Sequence, residues 1–251
     1  MLKIDKLSVN VGDKEILHDF NLNINTGEIH VLIGPNGIGK SSICKAILGD
    51  PNYKITKGTI KYNDKVLNEM PTTDRARLGI FLLNQSPIAI EGVTNAEMLR
   101  SALSERENKQ INIFEFNKEL TNICKKLDIP LSFIHRNIND GMSGGERKKN
   151  ELMHMWILKP SFVILDEIDS GLDVDALKLV ANSINEYYEE YKPSILLITH
   201  HKDLIELIKP TYTHILKNGT IESTGDYNLA IETLKVGYNK ASVVKEDNNN
   251  E

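Results

Sequence analysis

The alternation of apolar and polar positions divides the chain into short strands interleaved with amphipathic helices. Residues 2–11 (LKIDKLSVNV) and 15–24 (EILHDFNLNI) read as two strands joined at Gly12-Asp13, with a second turn at Thr26-Gly27. Phe162 to Leu165 is apolar at every position, and Ile29 to Ile33 is an apolar run apart from His30, the pattern of strands buried on both faces; Ile195 to Thr199 follows suit up to its closing threonine. Shorter strands are expected at Gly58 to Tyr62 and Leu78 to Leu83. His214 to Leu216 and Thr220 to Glu222 flank Lys217-Asn218-Gly219, a hairpin signal. Helices are expected from about Lys40 to Leu48, over about 144–158 before Pro160, and over 173–190. Residues 95–135 carry helical spacing through Leu99, Leu103, Leu120, Ile123 and Leu127, with Pro130 as a stop. Strand–helix alternation predicts an α/β fold, a mostly parallel sheet with helices on both faces. Antiparallel strands precede that sheet, and a helical subdomain of about 86–158 interrupts it. The expectation is one domain over 1–251, with a tail of about 243–251, ending K-E-D-N-N-N-E, that buries nothing and stays disordered.

Composition narrows the classes of function. With a net charge of −5, 40% hydrophobic and 26% charged residues, the chain reads as an ordinary globular protein. No global basic field points to nucleic acid. No apolar run approaches a bilayer span, so no direct membrane insertion is expected. The N-terminus M-L-K-I-D-K-L-S-V alternates like a strand and lacks the apolar core of a signal peptide. Cys44 and Cys124 are the only cysteines and lack metal-ligand spacing. A reducing, cytoplasmic compartment is the expectation.

The chemistry concentrates in a few short segments. Gly34-Pro35-Asn36-Gly37-Ile38-Gly39-Lys40-Ser41 fits G-x-x-x-x-G-K-[ST], a nucleoside triphosphate phosphate-binding loop. Its glycines let successive N–H groups converge on a phosphate, and the following helix, with Ser42 in its first turn, presents its positive end. Lys40 would reach the β- and γ-phosphates, and Ser41 would ligand Mg²⁺. The apolar strand at 162–165 ends in Asp166 and Glu167. Asp166 suits a water-mediated Mg²⁺ contact, and Glu167 a general base for the attacking water. Met142-Ser143-Gly144-Gly145-Glu146 opens a helix that Ser143 can cap, with N–H groups open to an anion.

Taken together and in order, these segments resemble the motifs of ABC-type ATPases over nearly the whole chain. Ser143 to Glu146 is similar to the signature motif, Gln85 to the Q-loop glutamine, Ser170-Gly171-Leu172-Asp173 to the D-loop, and His200 to the switch histidine. The resemblance implies the ABC-ATPase nucleotide-binding fold, with ATP and Mg²⁺ as cofactors. It implies ATP binding by Gly34 to Ser42 in one chain and by Ser143, Gly144, Gly145 and Glu146 of a second chain. Mg²⁺ is assigned to Ser41, Gln85 and Asp166, and catalysis to Glu167, His200, Gln85 and Lys40. A transient, ATP-dependent homodimer with slow turnover in isolation follows from that scheme. Val11 stands where many members place an aromatic under adenine, so strong base selectivity is not expected.

Three segments narrow the resemblance further: I-D-S-G-L-D-V-D-A-L after Glu167, M-S-G-G-E-R-K-K-N-E-L around the signature, and S-P-I-A-I-E-G-V-T-N-A-E-M-L-R after Gln85. They are similar to the soluble ATPases of the SUF iron–sulfur cluster assembly machinery. That resemblance implies a separate SufB/SufD-type scaffold as partner, docked on Pro87, Ile88, Ile90, Gly92 and Val93. The third segment departs from the usual pattern at Ser86, Ala89, Glu91 and Met98. The alternatives are the ATP-binding subunit of an ABC membrane transporter and a regulator without turnover. Outside the motifs, Trp156 reads as core, His201 as a solvated neighbour of His200, and Tyr187 to Tyr191 as a solvated helix face.

Overall fold

The computed structural model describes residues 1–238; the expected tail at 243–251 lies outside them. In chain order the elements are β1 (Leu2–Val11), β2 (Lys14–Ile24), β3 (Ile29–Ile33), α1 (Lys40–Leu48), β4 (Tyr53–Tyr62), β5 (Lys65–Val66), α2 (Thr72–Arg77), β6 (Ile80–Leu83) and β7 (Ile90–Thr94). Then come α3 (Asn95–Glu107), α4 (Ile113–Lys126), a 3-10 turn (Leu131–His135), β8 (Asn137–Ile138), α5 (Gly144–Leu158), β9 (Phe162–Asp166), α6 (Val174–Tyr191), β10 (Ser194–Ile198), α7 (Lys202–Ile208), β11 (Tyr212–Lys217), β12 (Thr220–Gly225) and α8 (Tyr227–Val236).

Two sheets carry the fold. A four-stranded antiparallel sheet runs β2-β1-β4-β5, and a six-stranded sheet runs β12-β11-β3-β10-β9-β6. In the second, β11, β3, β10, β9 and β6 are mutually parallel, and only the edge strand β12 is antiparallel. Every residue of β3, β9 and β10 is buried, as their mostly apolar sequences require, and the polar His30, Asp166 and Ser194 are buried with the rest. A cluster under α1 joins the two sheets through Leu7, Phe20, Leu32, Ile43, Ile47 and Phe162. A second cluster covers the other face and continues into the helical arm α3 to α5 through Leu99, Leu120, Met153 and Trp156.

Several elements differ from the pattern reading, each for a physical reason. The helical spacing over 95–135 resolves into α3, α4 and the 3-10 turn. Asn108 ends α3 in the left-handed conformation and Asn112 caps α4, accepting from the Phe114 and Glu115 N–H groups. The strand expected at 58–62 starts earlier, at Tyr53; a bulge around Lys57-Gly58, with Gly58 at φ 76°, interrupts the alternation that would have joined the two halves. Helix α2 has no apolar stripe. It is held through buried Arg75, whose guanidinium donates to the carbonyls of Ala46, Ile47, Asn68 and Met70 at 2.7–3.1 Å. Tyr187 is not on a solvated face: it is fully buried, edge-on to Trp156 at 5.2 Å, and its hydroxyl donates to the Pro160 carbonyl. Trp156 is core as expected, its indole donating to Ser183 Oγ at 3.0 Å.

Candidate functional site: a nucleotide crevice at the strand ends

Parallel pairing aligns the strand ends. Ile198 lies opposite both Leu32 and Asp166, and Leu83 lies opposite Leu165. The chain leaves β3 into Gly34, β6 into Gln85, β9 into Glu167 and β10 toward His200, all at the same carboxyl edge. Open parallel sheets bind ligands at that edge.

The phosphate loop is shaped by its glycines in two ways. Gly37 (φ 76°) and Gly39 (φ 106°) occupy left-handed backbone. Gly34 does not; it is needed because an added Cβ would lie 2.6 Å from the Leu216 carbonyl oxygen. Ile16 and Leu17 of β2 close over Gly39 from the other side. Lys40, the first residue of α1, is buried, and its ammonium donates to the carbonyls of Gly34 at 2.9 Å and Pro35 at 3.0 Å. Burial lowers its pKa, and the charges of Glu167 and Asp166 oppose that shift.

The two carboxylates are set differently. Asp166 is buried and accepts a hydrogen bond from Ser41 Oγ at 3.1 Å. Its pKa is raised, chiefly by burial; the Ser41 bond works against the shift and the charge of Glu167 adds to it. Glu167 has φ 47°, left-handed backbone that is costly for a non-glycine residue. Its N–H donates to the Ile198 carbonyl at 2.9 Å, and its Oε2 accepts from Gln85 Nε2 at 2.9 Å. The Gln85–Glu167 and Ser41–Asp166 pairs thus sit side by side through adjacent residues 166 and 167, and Lys40 precedes Ser41. His200 follows β10 at the same edge and is exposed, as is His201.

Ser143, Gly144 and Gly145 lie elsewhere, at the exposed N-terminus of α5. Ser143 Oγ accepts the Glu146 N–H at 3.3 Å, and Glu146 Oε2 accepts the Ser143 N–H at 2.7 Å, a reciprocal capping box. Glu146 is therefore committed to its own helix, and that bonding holds its carboxyl below the usual range. Of the segment after Gln85, Ile88 is 74% exposed and Ile90 45% exposed, with Gly92 exposed and Pro87 and Val93 half-buried. Val11 ends β1 opposite Lys14 and Tyr53.

Sequence reasoning missed four buried polar residues on α5: Lys148, Asn150, Glu151 and His154. Lys148, Asn150 and Glu151 lie in the segment M-S-G-G-E-R-K-K-N-E-L, but that segment does not show their burial, because most of their partners, Asn84, Gln85 and Asn95, lie far away in the chain.

Comparison with known proteins agrees with this architecture. The ABC transporter family matches residues 17–170, more than half of the chain. The chain belongs to the ABC transporter ATPase family and is an ATP-binding ATPase of that class. Within it, the resemblance runs to SufC: the chain is 45% identical over 233 residues to the iron-sulfur cluster assembly protein SufC of Plasmodium falciparum, covering 91% of this chain and 67% of that one. It is also 43% identical over 242 residues to the probable ATP-dependent transporter ycf16 of Antithamnion sp., covering 95% and 96% of the two chains. Among solved structures, the ATP-binding subunit of an ABC transporter has the same fold, with a TM-score of 0.77 at 24% identity over 97% of this chain and 98% of that one. Among the described residues, no helix is long and apolar enough to cross a membrane.

Proposed function

We propose that this ATPase drives conformational change in a SufB/SufD-type scaffold protein during iron–sulfur cluster assembly. The observation that carries the reading is the similarity to proteins named SufC across almost the whole chain. The exposed apolar pair Ile88 and Ile90, on a segment that begins at Gln85, supports a docking role for that segment.

The residues divide the work of hydrolysis as follows. Lys40, once its ammonium leaves the Gly34 and Pro35 carbonyls for the triphosphate, offsets charge on the β- and γ-phosphates, while the N–H groups of Gly34 to Ser42 cradle them. Glu167 takes the proton of, or orients, the attacking water, and Gln85 fixes its carboxylate through the 2.9 Å hydrogen bond. His200 contacts the γ-phosphate. Ser41, Gln85 and Asp166 are a hard oxygen set that suits Mg²⁺, and the 3.1 Å Ser41–Asp166 bond brings two of them to one point. Ser41 and Gln85 directly, and Asp166 through water, would hold Mg²⁺, which would supply positive charge against the phosphoryl oxygens. Ser143, Gly144 and Gly145 of a second chain complete the site, so ATP favours a closed homodimer and turnover alone is slow. Glu146 then contributes through its N–H and its cap, its carboxylate being turned to Ser143.

A second reading has one specific observation behind it. The ycf16 relatives are named probable ATP-dependent transporters, which fits an ATP-binding subunit serving a separate membrane protein. Co-purification separates the two. Ile90→Asp should abolish capture of a soluble SufB/SufD-type scaffold while leaving ATP affinity within about twofold, since Ile90 lies outside the crevice. Capture of a polytopic membrane protein by the unmodified chain would instead move the assignment to the transporter reading.

A further inference from the structure

Helix α5 does more than present Ser143. Its second and third turns bury Lys148, Asn150, Glu151 and His154, and all four reach the chain between β6 and α3 or the residues that support it. Glu151 Oε1 accepts the Asn84 N–H at 3.1 Å. Lys148 Nζ pairs with Glu151 at 3.6 Å and donates to the carbonyls of Asn84 and of Gln85, the latter at 3.1 Å. Asn150 Nδ2 donates to Asn139 Oδ1 and to Asn95 Oδ1, each at 3.0 Å. Asn139 in turn donates to the Ile88 carbonyl at 3.0 Å. His154 Nε2 lies 2.7 Å from Asn95 Oδ1, so the ring carries its proton there. Asn95 completes the chain by donating to the Phe133 carbonyl at 2.8 Å.

One helix therefore pins the segment at its start (Asn84 and Gln85), its middle (Ile88) and its end (Asn95). Apolar side chains over the same backbone would strand the Asn84 N–H and the carbonyls of Asn84 and Gln85; the polar layer satisfies them, at the cost of desolvating buried charges and amides. The cost is visible: the buried Glu151 Oε2 and Asn150 Oδ1 have no hydrogen-bond partner among the described residues. What directional bonds add over an apolar cover is a fixed position.

We propose that Lys148, Glu151 and Asn150 are positioning residues for ATP hydrolysis, fixing the Asn84–Asn95 segment to the helix that carries Ser143. Gln85, which orients Glu167 in its own crevice, and Ser143, which serves the crevice of the second chain, then move as one body. The inference rests on the assignment of Gln85, Glu167 and Ser143 to the ATP site.

The test compares Lys148→Met and Asn150→Ala with the unmodified protein in three measurements: steady-state ATP turnover, equilibrium ATP affinity and amide hydrogen exchange. Misplacing Gln85 should lower kcat by about 10–100-fold, since errors near 1 Å cost that much, while the Kd for ATP stays within about threefold. Exchange should quicken over 84–95 and stay unchanged in β3, β9 and β10. Turnover equal to that of the unmodified protein overturns the proposal. So does a Kd that rises in step with the loss of kcat, or exchange that quickens throughout the sheet, because either marks residues that only hold the fold. If Lys148→Met does not fold, Asn150→Ala, which strands no buried charge, decides the matter. Glu167→Gln run alongside separates the two levels: turnover retained there defeats the site assignment, and the exchange data still judge whether α5 fixes the Asn84–Asn95 segment.

Discussion

The strand-end crevice and the helical arm are built by opposite means. In the crevice, each group is placed by the backbone it terminates. The parallel register of β3, β10, β9 and β6 delivers the phosphate loop, His200, Asp166 with Glu167, and Gln85 to one edge. Short bonds then join neighbours: Ser41 to Asp166 and Gln85 to Glu167. In the arm, the only ladder among the described residues is the short antiparallel pair β7–β8, Ile90 opposite Ile138 and Thr94 opposite Asn137. Helices α3 to α5 pack through an apolar layer around Trp156 and a polar layer running from Lys148 to His154. The crevice thus takes its precision from strands that any apolar, β-branched sequence could supply. The arm takes its precision from particular side chains. Substitutions in the crevice should strike chemistry and spare stability, and those in the arm should do the reverse or affect both.

The largest effect expected tests the crevice. Glu167→Gln keeps the shape of the side chain and can still bond Gln85, so folding and Mg-ATP binding should survive. Turnover should fall by roughly 10²–10⁴-fold, or about 3–5 kcal/mol of barrier, measured as phosphate release. A loss of only a few-fold would remove Glu167 as the acting carboxylate. The arm's counterpart is Trp156→Ala. It removes an indole that bonds Ser183, packs edge-on to Tyr187 and lies 3.6 Å beneath the Lys126 ammonium. Denaturant unfolding should register a loss of about 3–5 kcal/mol. A loss below about 1 kcal/mol would mean that the arm is not held by its aromatic layer.

The same contrast explains what could be read from the sequence. The crevice was legible because its determinants are contiguous: Gly34 to Ser41, Phe162 to Glu167, and an apolar run ending near His200. One reason given for a glycine needs revision, since Gly34 serves close approach to Leu216 and not backbone angle. The arm was legible only in outline. Apolar spacing marked its helices but could not show the breaks at Asn108 and Asn112, which depend on two local caps. The burial of the polar residues on α5 was not legible, because nothing in a single sequence ties Asn150 to Asn95 and Asn139, 55 and 11 positions away. Tyr187 was misread for the same reason: its tyrosine- and glutamate-rich neighbourhood resembles a solvated face, yet Trp156 and Pro160 lie over it. Helix α2 is the extreme case, with a buried arginine in place of an apolar stripe.

Acid should act on the arm through two buried groups of opposite sign. His154 is buried with its pKa pushed down to about 4 by desolvation, against an ordinary value of 6.5. The folded protein therefore binds fewer protons there than the unfolded chain. That stabilisation is complete above about pH 6.5 and is lost as pH falls toward 4. Glu151 on the same helix has the opposite sign: burial raises it to about 7, so its contribution is full below 4.5 and lost as pH rises through 7. A difference measurement isolates the histidine. Between pH 7 and pH 5 the unmodified protein should lose about 2 kcal/mol more than His154→Gln does in denaturant unfolding. Equal losses would mean that His154 titrates normally and that the polar layer is open to water.

The smallest expected effect on stability falls on the residue where the two regions meet. Ser143 caps α5 and, in the proposed scheme, completes the ATP site of a second chain. Ser143→Ala removes both functions, so its expected cost of about 1 kcal/mol in stability cannot be separated from any loss of assembly. Ser143→Asp separates them. Aspartate caps a helix N-terminus as well as serine does, and its charge suits the helix dipole, so unfolding stability should stay within about 0.5 kcal/mol of the parent. Facing a triphosphate across the dimer, however, the same carboxylate is repelled. In a Glu167→Gln background, sedimentation should show Mg-ATP-dependent dimers for the parent and monomers for Ser143→Asp, with nucleotide still bound at the crevice of each chain. Dimers of equal strength in both would place Ser143 away from the nucleotide and leave it as a helix cap alone. Monomers in both, with ATP bound, would show that the two regions meet only when a partner holds a pair of chains together.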